Sequence, residues 1–397
     1  IGDDGRLYVG TTTGKMVALG IPSAGPADGP WSMHGQNARN TSTGKNLTIA
    51  PKVPLSPKWA TGSGGEITPA IGTNGTIYGG SSQVVYGLDT SDGTEEWRYD
   101  TNNDLNGLAV GNGGSVLVST DDLIALSEST GTLLWTSLGG ARDIGAPAVA
   151  SDGTVYVGTD DGYFYAIDSS DGSELWSFQF GGGQGWDGRE IPAAPAIAED
   201  GTVYVGTTGY YNGEDGFKVY ALDPGDGTVK WSNTTNSDMT GLSIGEDGTV
   251  YATSLSGAIW NVDSWNGRLY ALDPADGSTK WIFEAGSDLN APATIGTDGT
   301  VFVTSEHGKV YALDPSNGSV RWSADHNVTW SSAAMAANGT VYVASKDGAY
   351  YALDPTDGSI EAYFLFGGSG YNLVASPIID SSGTIYAPFG GLHALSH

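Results

Sequence analysis

The chain has 397 residues, no cysteine, and 45 acidic against 16 basic residues, which gives a formal charge of −29 at pH 7. The lack of cysteine excludes disulfides, thiolate metal sites and cysteine nucleophiles, and the negative field disfavours nucleic acid and anionic lipid as partners. No run of 18 apolar residues occurs, so the sequence predicts no transmembrane helix.

Residues 1–20 contain two short predicted strands, Arg6–Val9 and Lys15–Leu19, which match the second and third strands of a repeat that recurs further along the chain. We interpret them as an extra hairpin: an assembly element, the remnant of a preceding domain of the same kind, or an additional repeat. Residues 21–56 are rich in Pro, Gly and Asn and form a predicted irregular connector. Because Ile1 falls inside a repeat, we expect the chain to be a processed product or a fragment.

Residues 57–397 consist of repeats of about 40 residues, each reading as four short strands. Alternating Val and Tyr predict strands that are buried on both faces, and the DGT and DPxDGS segments predict tight turns. Four short strands at a fixed period indicate an all-β fold, here an eight-bladed β-propeller of four-stranded antiparallel blades. An N-terminal strand near Trp59 is predicted to pair with the last repeat and close the ring, which removes exposed sheet edges.

A tryptophan ends the fourth strand of nearly every repeat, within the pattern Leu-Asp-Pro-x-Asp-Gly-Ser-x-x-Trp. The pattern resembles the PQQ-enzyme repeat of quinoprotein dehydrogenases and of their non-catalytic relatives, and the segment WSMHGQNARNT resembles a connector beside such repeats. The resemblance covers about residues 57–397, and Ala362 departs from it. It implies that these tryptophans dock against the neighbouring blade: Trp59, Trp97, Trp135, Trp176, Trp231, Trp281 and Trp322.

The same resemblance bears on cofactors. Catalytic quinoproteins bring a calcium-bound quinone, an Asp base and often a vicinal cysteine pair, and none of these sets can be matched here residue by residue. We therefore assign no catalytic residue and do not expect pyrroloquinoline quinone (PQQ), while Ca²⁺ stays open. The non-catalytic relatives include the lipoprotein of the outer-membrane barrel-assembly machinery, so the fold does not decide between these activities.

Three insertions interrupt the repeats, at residues 181–190, 208–216 and 255–267, and all are predicted on one face of adjacent blades. They are rich in aromatic residues, which are typical of surfaces that contact proteins or carbohydrate. The alternative is that these loops pack their aromatic side chains into small cores of their own. The candidate contact residues are Trp186, Asp187, Tyr210, Tyr211, Trp260, Trp265 and, in another loop of this face, Trp330.

Carboxylates recur where the chain enters the innermost strand of each blade. In a ring they would converge on the channel mouth, where they could bind Ca²⁺ or another hard cation, or have raised pKa values. The alternative is that each carboxylate accepts backbone hydrogen bonds at its own blade junction. The candidates are Glu66, Asp104, Asp143, Glu190, Asp238 and Asp288.

The sequence favours a secreted, cell-surface or periplasmic binding or assembly scaffold without redox catalysis, whose partner is a protein or a carbohydrate. Self-association through residues 1–20 would follow if the hairpin adds to a second sheet edge. The alternatives are a PQQ- or Ca²⁺-dependent enzyme or hydrolase with its site at the channel mouth, and a structural subunit of an extracellular polymer. Seven Asn-x-Ser/Thr sequons are compatible with a glycoprotein, although several coincide with turns.

Overall fold

The structure is a computed structural model. It describes residues 6–10, 16–20, 59–60, 69–72, 76–89, 92–140, 143–180, 194–208, 217–235, 237–255, 266–328, 332–335, 339–346, 349–365, 378–379, 385–388 and 392–395. These residues form β-strands, turns and bends, and no helix long and apolar enough to span a bilayer occurs among them. The predicted all-β class is confirmed.

Three strands near the N-terminus form one antiparallel sheet, which we call the N-terminal sheet: β1 (Arg6–Gly10), β2 (Met16–Gly20) and β3 (Trp59–Ala60). Seven four-stranded sheets follow, which we call blades 1 to 7. Blades 1 to 3 comprise β4 (Ala70–Ile71), β5 (Thr76–Ser81), β6 (Val84–Asp89) and β7 (Glu95–Asp100); β8 (Gly107–Gly111), β9 (Ser115–Ser119), β10 (Leu123–Ser127) and β11 (Leu133–Ser137); and β12 (Ala148–Val149), β13 (Thr154–Gly158), β14 (Tyr163–Asp168) and β15 (Glu174–Gln179).

Blades 4 to 7 repeat this order, with each strand paired to the next along the chain. They comprise β16 (Ala196–Ile197), β17 (Val203–Gly206), β18 (Lys218–Leu222) and β19 (Val229–Thr234); β20 (Met239–Ile244), β21 (Val250–Ser254), β22 (Arg268–Leu272) and β23 (Thr279–Glu284); β24 (Thr294–Ile295), β25 (Val301–Thr304), β26 (Lys309–Leu313) and β27 (Val320–Asp325); and β28 (Ala334–Met335), β29 (Val341–Ala344), β30 (Ala349–Leu353) and β31 (Ile360–Leu365). The last sheet has three strands: β32 (Ile378–Ile379), β33 (Ile385–Pro388) and β34 (Leu392–Leu395).

We label the four strands of a blade A to D in chain order. The sequence forms the turns between them because short polar side chains hold the backbone. In blade 4, Asp200 accepts a hydrogen bond from the backbone N–H of Thr202 at 2.9 Å, and Asp226 accepts one from Thr228 at 3.0 Å. Gly227 follows Asp226 at φ +72°, a conformation that disfavours other residues. Asp-Gly-Thr and Asp-Gly-Ser therefore specify the A–B and C–D turns.

The hydrophobic core lies between successive blades. Trp97 of blade 1, for example, belongs to the same buried cluster as Leu108 and Ile124 of blade 2. The C and D strands of every complete blade contain a β-bulge, as between Ala221 and Leu222. A bulge bends the strand and re-aims its side chains, and in blades 1 to 6 it directly precedes the Trp that contacts the next blade.

The predicted ring closure is not formed among the described residues. The strand at Trp59 pairs with β2, where Ala18 opposes Trp59, and the structure gives no pairing between β3 and β34. Within residues 1–20, the described strands β1 and β2 share a sheet with β3. The physical reason is that β2 (MVALG) and β34 (LHAL) share the Ala-Leu pair of the repeat's third strand, so either strand can pair with β3. The described part of the chain forms seven complete blades and two three-stranded sheets, so the predicted eighth blade is not seen as a complete sheet.

Candidate functional site

The blade junctions are held by indole rings. In blades 1 to 6 the third residue of the D strand is a Trp that is about nine-tenths buried, and its Nε1–H donates to a backbone carbonyl in the C–D turn of the following blade at 2.7–2.9 Å. Each bond crosses from one sheet to the next. The pairs are Trp97 with Glu128, Trp135 with Ser169, Trp176 with Pro224, Trp231 with Pro274, Trp281 with Pro315 and Trp322 with Pro355.

A glycine in the receiving turn accommodates each indole. Gly318 has φ +71°, and a Cβ placed on it would lie 2.4 Å from the Cε3 atom of Trp281. The turn therefore needs glycine both for its backbone and for the ring above it. Sequence reasoning assigned these glycines to turn chemistry alone, although their fixed distance before the next Trp was a usable signal. The set is Gly131, Gly172, Gly227, Gly277, Gly318 and Gly358.

A second aromatic ring on the B strand completes most junctions. The rings of Tyr204 and Trp231 are in tilted contact with their centroids 5.6 Å apart, and four other blades have an equivalent pair at 5.7–5.9 Å. Burial raises the pKa of Tyr204 to about 12, so the phenol is neutral at physiological pH. Blade 7 differs, because Ala362 stands at the Trp position and the hydroxyl of the buried Tyr342 has no hydrogen-bond partner within the described part of the chain.

The residue before the Trp is the extra residue of the β-bulge, and in blades 4 to 6 it is a cation. Lys280 Nζ donates to Thr249 Oγ1 at 2.8 Å and lies 4.0 Å from Asp247. Arg321 makes the equivalent contacts with Thr300 and Asp298 in blade 6. Lys230 donates to Thr202 Oγ1 in the same way, but its ion pair is with Asp223 of the C–D turn, at 3.7 Å. These cations join the D strand to the A–B turn of the same blade. They are partly exposed, so each ion pair contributes little stability.

Blade 2 lacks this arrangement. Leu134 replaces the cation and is 53% exposed, and Gly113 replaces the Asp of the A–B turn. Ser115 Oγ and Glu128 Oε1 are buried here and have no hydrogen-bond partner within the described residues. Burial raises the pKa of Glu128. In blades 4 to 7, a proline stands at the position that Glu128 has in blade 2. This proline packs over the glycine of the A–B turn, as Pro224 packs over Gly201.

The candidate contact residues on the aromatic loops, from Trp186 and Asp187 to Trp330, lie outside the described residues. The strands on either side of the three insertions are described. Residues 181–193 connect strand D of blade 3 to strand A of blade 4, whereas 209–216 and 256–265 connect strands B and C of blades 4 and 5. In an up-and-down sheet, strands B and D end at the same edge. The described strand ends that flank the three segments therefore lie at the same edge of their blades.

Four of the six candidate carboxylates are described, and they occupy equivalent places in a repeated junction. The backbone carbonyls of Asp143, Asp238 and Asp288 accept hydrogen bonds from the B–C loop of the blade they enter, at 2.9–3.1 Å. Asp104 accepts a bond from Gln83 Nε2 at 3.2 Å. Among the described residues, no three His, Asp or Glu side chains come close enough together to hold a metal ion. Glu66 and Glu190 lie outside the described residues.

The apolar residue after each of these carboxylates secures the junction. The backbone N–H of Ile144 donates to the carbonyl of Thr120 in the preceding blade at 3.1 Å, and its side chain is fully buried. Leu105, Met239 and Leu289 donate in the same way to Ser82, Thr207 and Ser254. The carboxylate period in the sequence therefore marks a structural Asp–apolar pair, a role that sequence reasoning credited to the carboxylate alone.

Comparison with known proteins gives the same repeat family. A PQQ_2 family model, described as outer membrane protein assembly factor BamB, matches residues 80–268 and 265–396. The outer membrane protein assembly factor BamB of Nitrosomonas eutropha is 26% identical over 209 residues, which is 49% of this chain and 48% of that protein. The chain thus matches about half the length of this relative.

Solved structures share the fold at low identity. A europium-containing methanol dehydrogenase superposes with a TM-score of 0.70 and 18% identity, covering 91% of this chain and 90% of that one. BamB from Moraxella catarrhalis superposes with a TM-score of 0.63 and 20% identity, covering 88% and 98%. An enzyme and an assembly factor are thus similar to this chain in fold alone. The family model matches most of the length of this chain. The chain therefore belongs to the PQQ_2 family of PQQ-like repeat β-propellers.

Proposed function

We propose that this protein is an exported binding and assembly scaffold without redox catalysis, located in the periplasm or at the cell surface, whose partner is another protein. The observation that carries the proposal is the match of an assembly-factor family model to residues 80–268 and 265–396. The BamB of Nitrosomonas eutropha, by its name, assists assembly of outer membrane proteins.

The blade junctions fit this role. Six indoles, each bonded to the next blade, fix neighbouring blades relative to one another. A scaffold of this kind presents its connecting loops at constant separation, which lowers the entropy lost when a partner binds. We propose that the recognition surface is the face bearing the D–A and B–C loops, with Trp186, Tyr210, Tyr211, Trp260 and Trp265 as its contact residues.

Site-specific photocrosslinking in the source organism tests the proposal. A benzophenone amino acid would replace Trp186 or Trp260, and Ile282 provides the matched control, since it is 47% exposed on an outer strand of blade 5. We expect the same protein adduct from both loop positions and none from position 282. A partner that crosslinks equally from position 282 would contradict the proposed face.

The purified partner then allows a quantitative comparison. Replacing Trp186, Trp260 and Trp265 by Ala should weaken binding by about tenfold or more, because buried aromatic contacts often contribute above 1 kcal/mol each. The control, Ile282→Ala, should leave the affinity unchanged. An unchanged affinity of the triple variant would exclude this face. A glycan array probed with the same two variants tests the carbohydrate alternative.

The fold similarity to a methanol dehydrogenase supports an enzyme as the second candidate. In that case the carboxylates at the entries to the inner strands would bind Ca²⁺ with a quinone. Titration of the protein with PQQ and Ca²⁺, followed by tryptophan fluorescence, should show saturable quenching that is lost in Asp143→Asn with Asp238→Asn. No saturable signal would dismiss this candidate. The third candidate, a subunit of an extracellular polymer, predicts filaments in concentrated solution.

We also propose that the domain spans residues 57–397 and has eight blade positions, with residues 1–20 as an extra hairpin and 21–56 as its connector. Seven positions hold the complete blades. The eighth lies between blades 7 and 1: β32 lies beside β28 of blade 7, and β1 lies beside β5 of blade 1. The two three-stranded sheets both lie in this interval.

A further inference from the structure

Two different hairpins, β1–β2 and β33–β34, lie next to each other in the fold. Strand β1 of the N-terminal sheet lies alongside β33 of the last sheet, and β2 lies alongside β34. Each pair matches in strand type, since β1 and β33 are B strands and β2 and β34 are C strands of the repeat. The N-terminal sheet supplies strands B, C and D, whereas the last sheet supplies strands A, B and C.

Both hairpins fit the same D strand in the same register. In the complete blades, the D-strand Trp opposes a small C-strand residue, as Trp231 opposes Ala221. The N-terminal hairpin repeats this pairing, with Ala18 opposite Trp59 and Val17 opposite Ala60. Aligned on the repeat, Ala394 of β34 is the equivalent of Ala18, and His393 is the equivalent of Val17. Strand β3 already lies beside β34.

The connection between β2 and β3 is far longer than their pairing requires. Six residues join Leu222 to Val229 in blade 4, whereas residues 21–58, 38 residues, join Gly20 to Trp59. Fully extended, such a length spans up to about 125 Å. The hairpin can therefore reach the β3 strand of another molecule as well as its own. Exchange of an identical element between copies is a low-cost route to dimers.

The junction next to this position also lacks the usual fastening. Blade 7 has Ala362 where the other complete blades have a docking Trp, so no indole can bond from β31 to the sheet that follows. Each of the six indole junctions contributes a hydrogen bond and buried aromatic area. The junction between blade 7 and the last sheet therefore lacks the indole contact that joins blades 1 to 7 to one another.

We propose that hairpin 6–20 and hairpin 385–395 are alternative partners of strand β3, and that the N-terminal hairpin, when β34 takes β3, pairs with β3 of a second copy of the chain. The site is thus a strand-exchange interface whose partner is the protein itself. It is independent of the recognition face proposed above, because neither hairpin includes a residue of the aromatic loops.

Engineered disulfides test the two pairings in the full-length chain, which has no cysteine of its own. Opposed residues of antiparallel strands have Cα atoms about 4.5–5.5 Å apart, within disulfide range. The first pair is Val17→Cys with Ala60→Cys, and the second is Ala60→Cys with His393→Cys. The matched control is Ala60→Cys with Ser232→Cys, because Ser232 occupies the same D-strand position in blade 4.

We expect both test pairs to form disulfides under mild oxidation and the control to form none. Mixing isotopically light and heavy protein should give 17–60 disulfides between molecules, and their share should rise with concentration. The proposal is overturned if only one of the two pairs forms. It is also overturned if every 17–60 disulfide stays within one molecule at all concentrations.

A second variant separates competition from simple proximity. Ala18→Pro removes a backbone N–H from β2 and disfavours its pairing with β3. Added to the second cysteine pair, it should raise the yield of the 60–393 disulfide. In the cysteine-free chain, light scattering should show the predicted concentration-dependent dimer, and Ala18→Pro should abolish it. Unchanged values for both quantities would show that the hairpins do not compete.

Discussion

Replacing the glycine beneath a docked indole should be among the most destabilising single-methyl changes in this propeller. In Gly318→Ala, the new Cβ meets two costs at once. The residue has φ +71°, and the Cβ would lie 2.4 Å from Cε3 and 2.8 Å from Cδ2 of Trp281. A left-handed conformation costs an L-residue about 1–2 kcal/mol, and forced overpacking costs about 1–3 kcal/mol more.

The chain provides a control that isolates the second cost. Gly286 has φ +75°, but a Cβ placed there would have nothing within 4 Å. Gly286→Ala should therefore lower the free energy of unfolding by only the backbone cost of about 1–2 kcal/mol. The difference between the two variants measures the contact between the turn and the indole.

Urea unfolding followed by tryptophan fluorescence gives the free energies, and hydrogen exchange localises the effect. We expect Gly318→Ala to lose about 2–5 kcal/mol in total and to expose the backbone of β23 and β27 to faster exchange. If Gly318→Ala costs no more than Gly286→Ala, the reasoning that the turn glycine seats the indole is refuted.

Four further predictions concern single interactions and charge. Trp281→Phe keeps a ring but leaves the carbonyl of Pro315 unbonded, so it should cost about 1–3 kcal/mol in urea unfolding, and a loss below that would mean water replaces the bond. Glu128→Gln should raise the melting temperature at pH 7 and leave it unchanged near pH 4. Burial raises the pKa of the Glu128 carboxyl, so the protonated carboxyl favours the folded state, and this stabilisation is lost as pH rises through the folded-state pKa. The exposed Glu174→Gln is the control. The free energy of unfolding should fall as pH drops below 3.8, the ordinary pKa of Asp. The reason is that hydrogen bonds from the Ser or Thr two residues further on hold the pKa of several turn carboxylates below that value. An acid titration that shows no loss of stability below pH 3.8 would contradict this explanation. Added salt should raise the melting temperature, because it screens the repulsion within a chain of charge −29, and a fall would rule out that repulsion as a significant term. The turn carboxylates are Asp168, Asp226, Asp276, Asp314 and Asp357.

The sequence predicted the blade because each blade element repeats. A strand ending in Trp, a turn with Asp-Gly and a small C-strand residue such as Ala221 recur about every 40 residues, so the strand order followed from spacing alone. The observed register, with Ala221 opposite Trp231, gives the reason for the small residue. Ala221 lies between Tyr204, which opposes it on strand B, and Trp231, which opposes it on strand D, so little room is left for a larger side chain.

The partner of the strand at Trp59 could not be predicted, because the repetition makes two hairpins alike. Val17–Leu19 and His393–Leu395 present nearly the same pattern to the strand at Trp59, so local sequence has no feature that selects one of them. The choice depends on which hairpin occupies the position between blades 7 and 1, and that is set by contacts distant in sequence. The sequence showed the period of the carboxylates but not the repeated junction around them, in which the Asp143 carbonyl accepts a backbone hydrogen bond and the side chain of Ile144 is buried.

Every observed indole bond points forward along the chain, and this direction has a consequence during synthesis. The acceptor carbonyl lies 31 to 48 residues after its Trp. At about 5–20 residues per second, a ribosome needs about 2–10 s to add that length. Each newly made blade thus emerges with its indole unsatisfied and waits for the next blade to cover it. Synthesis in this order would fasten the blades one after another, from the N-terminal side of the chain to the C-terminal side.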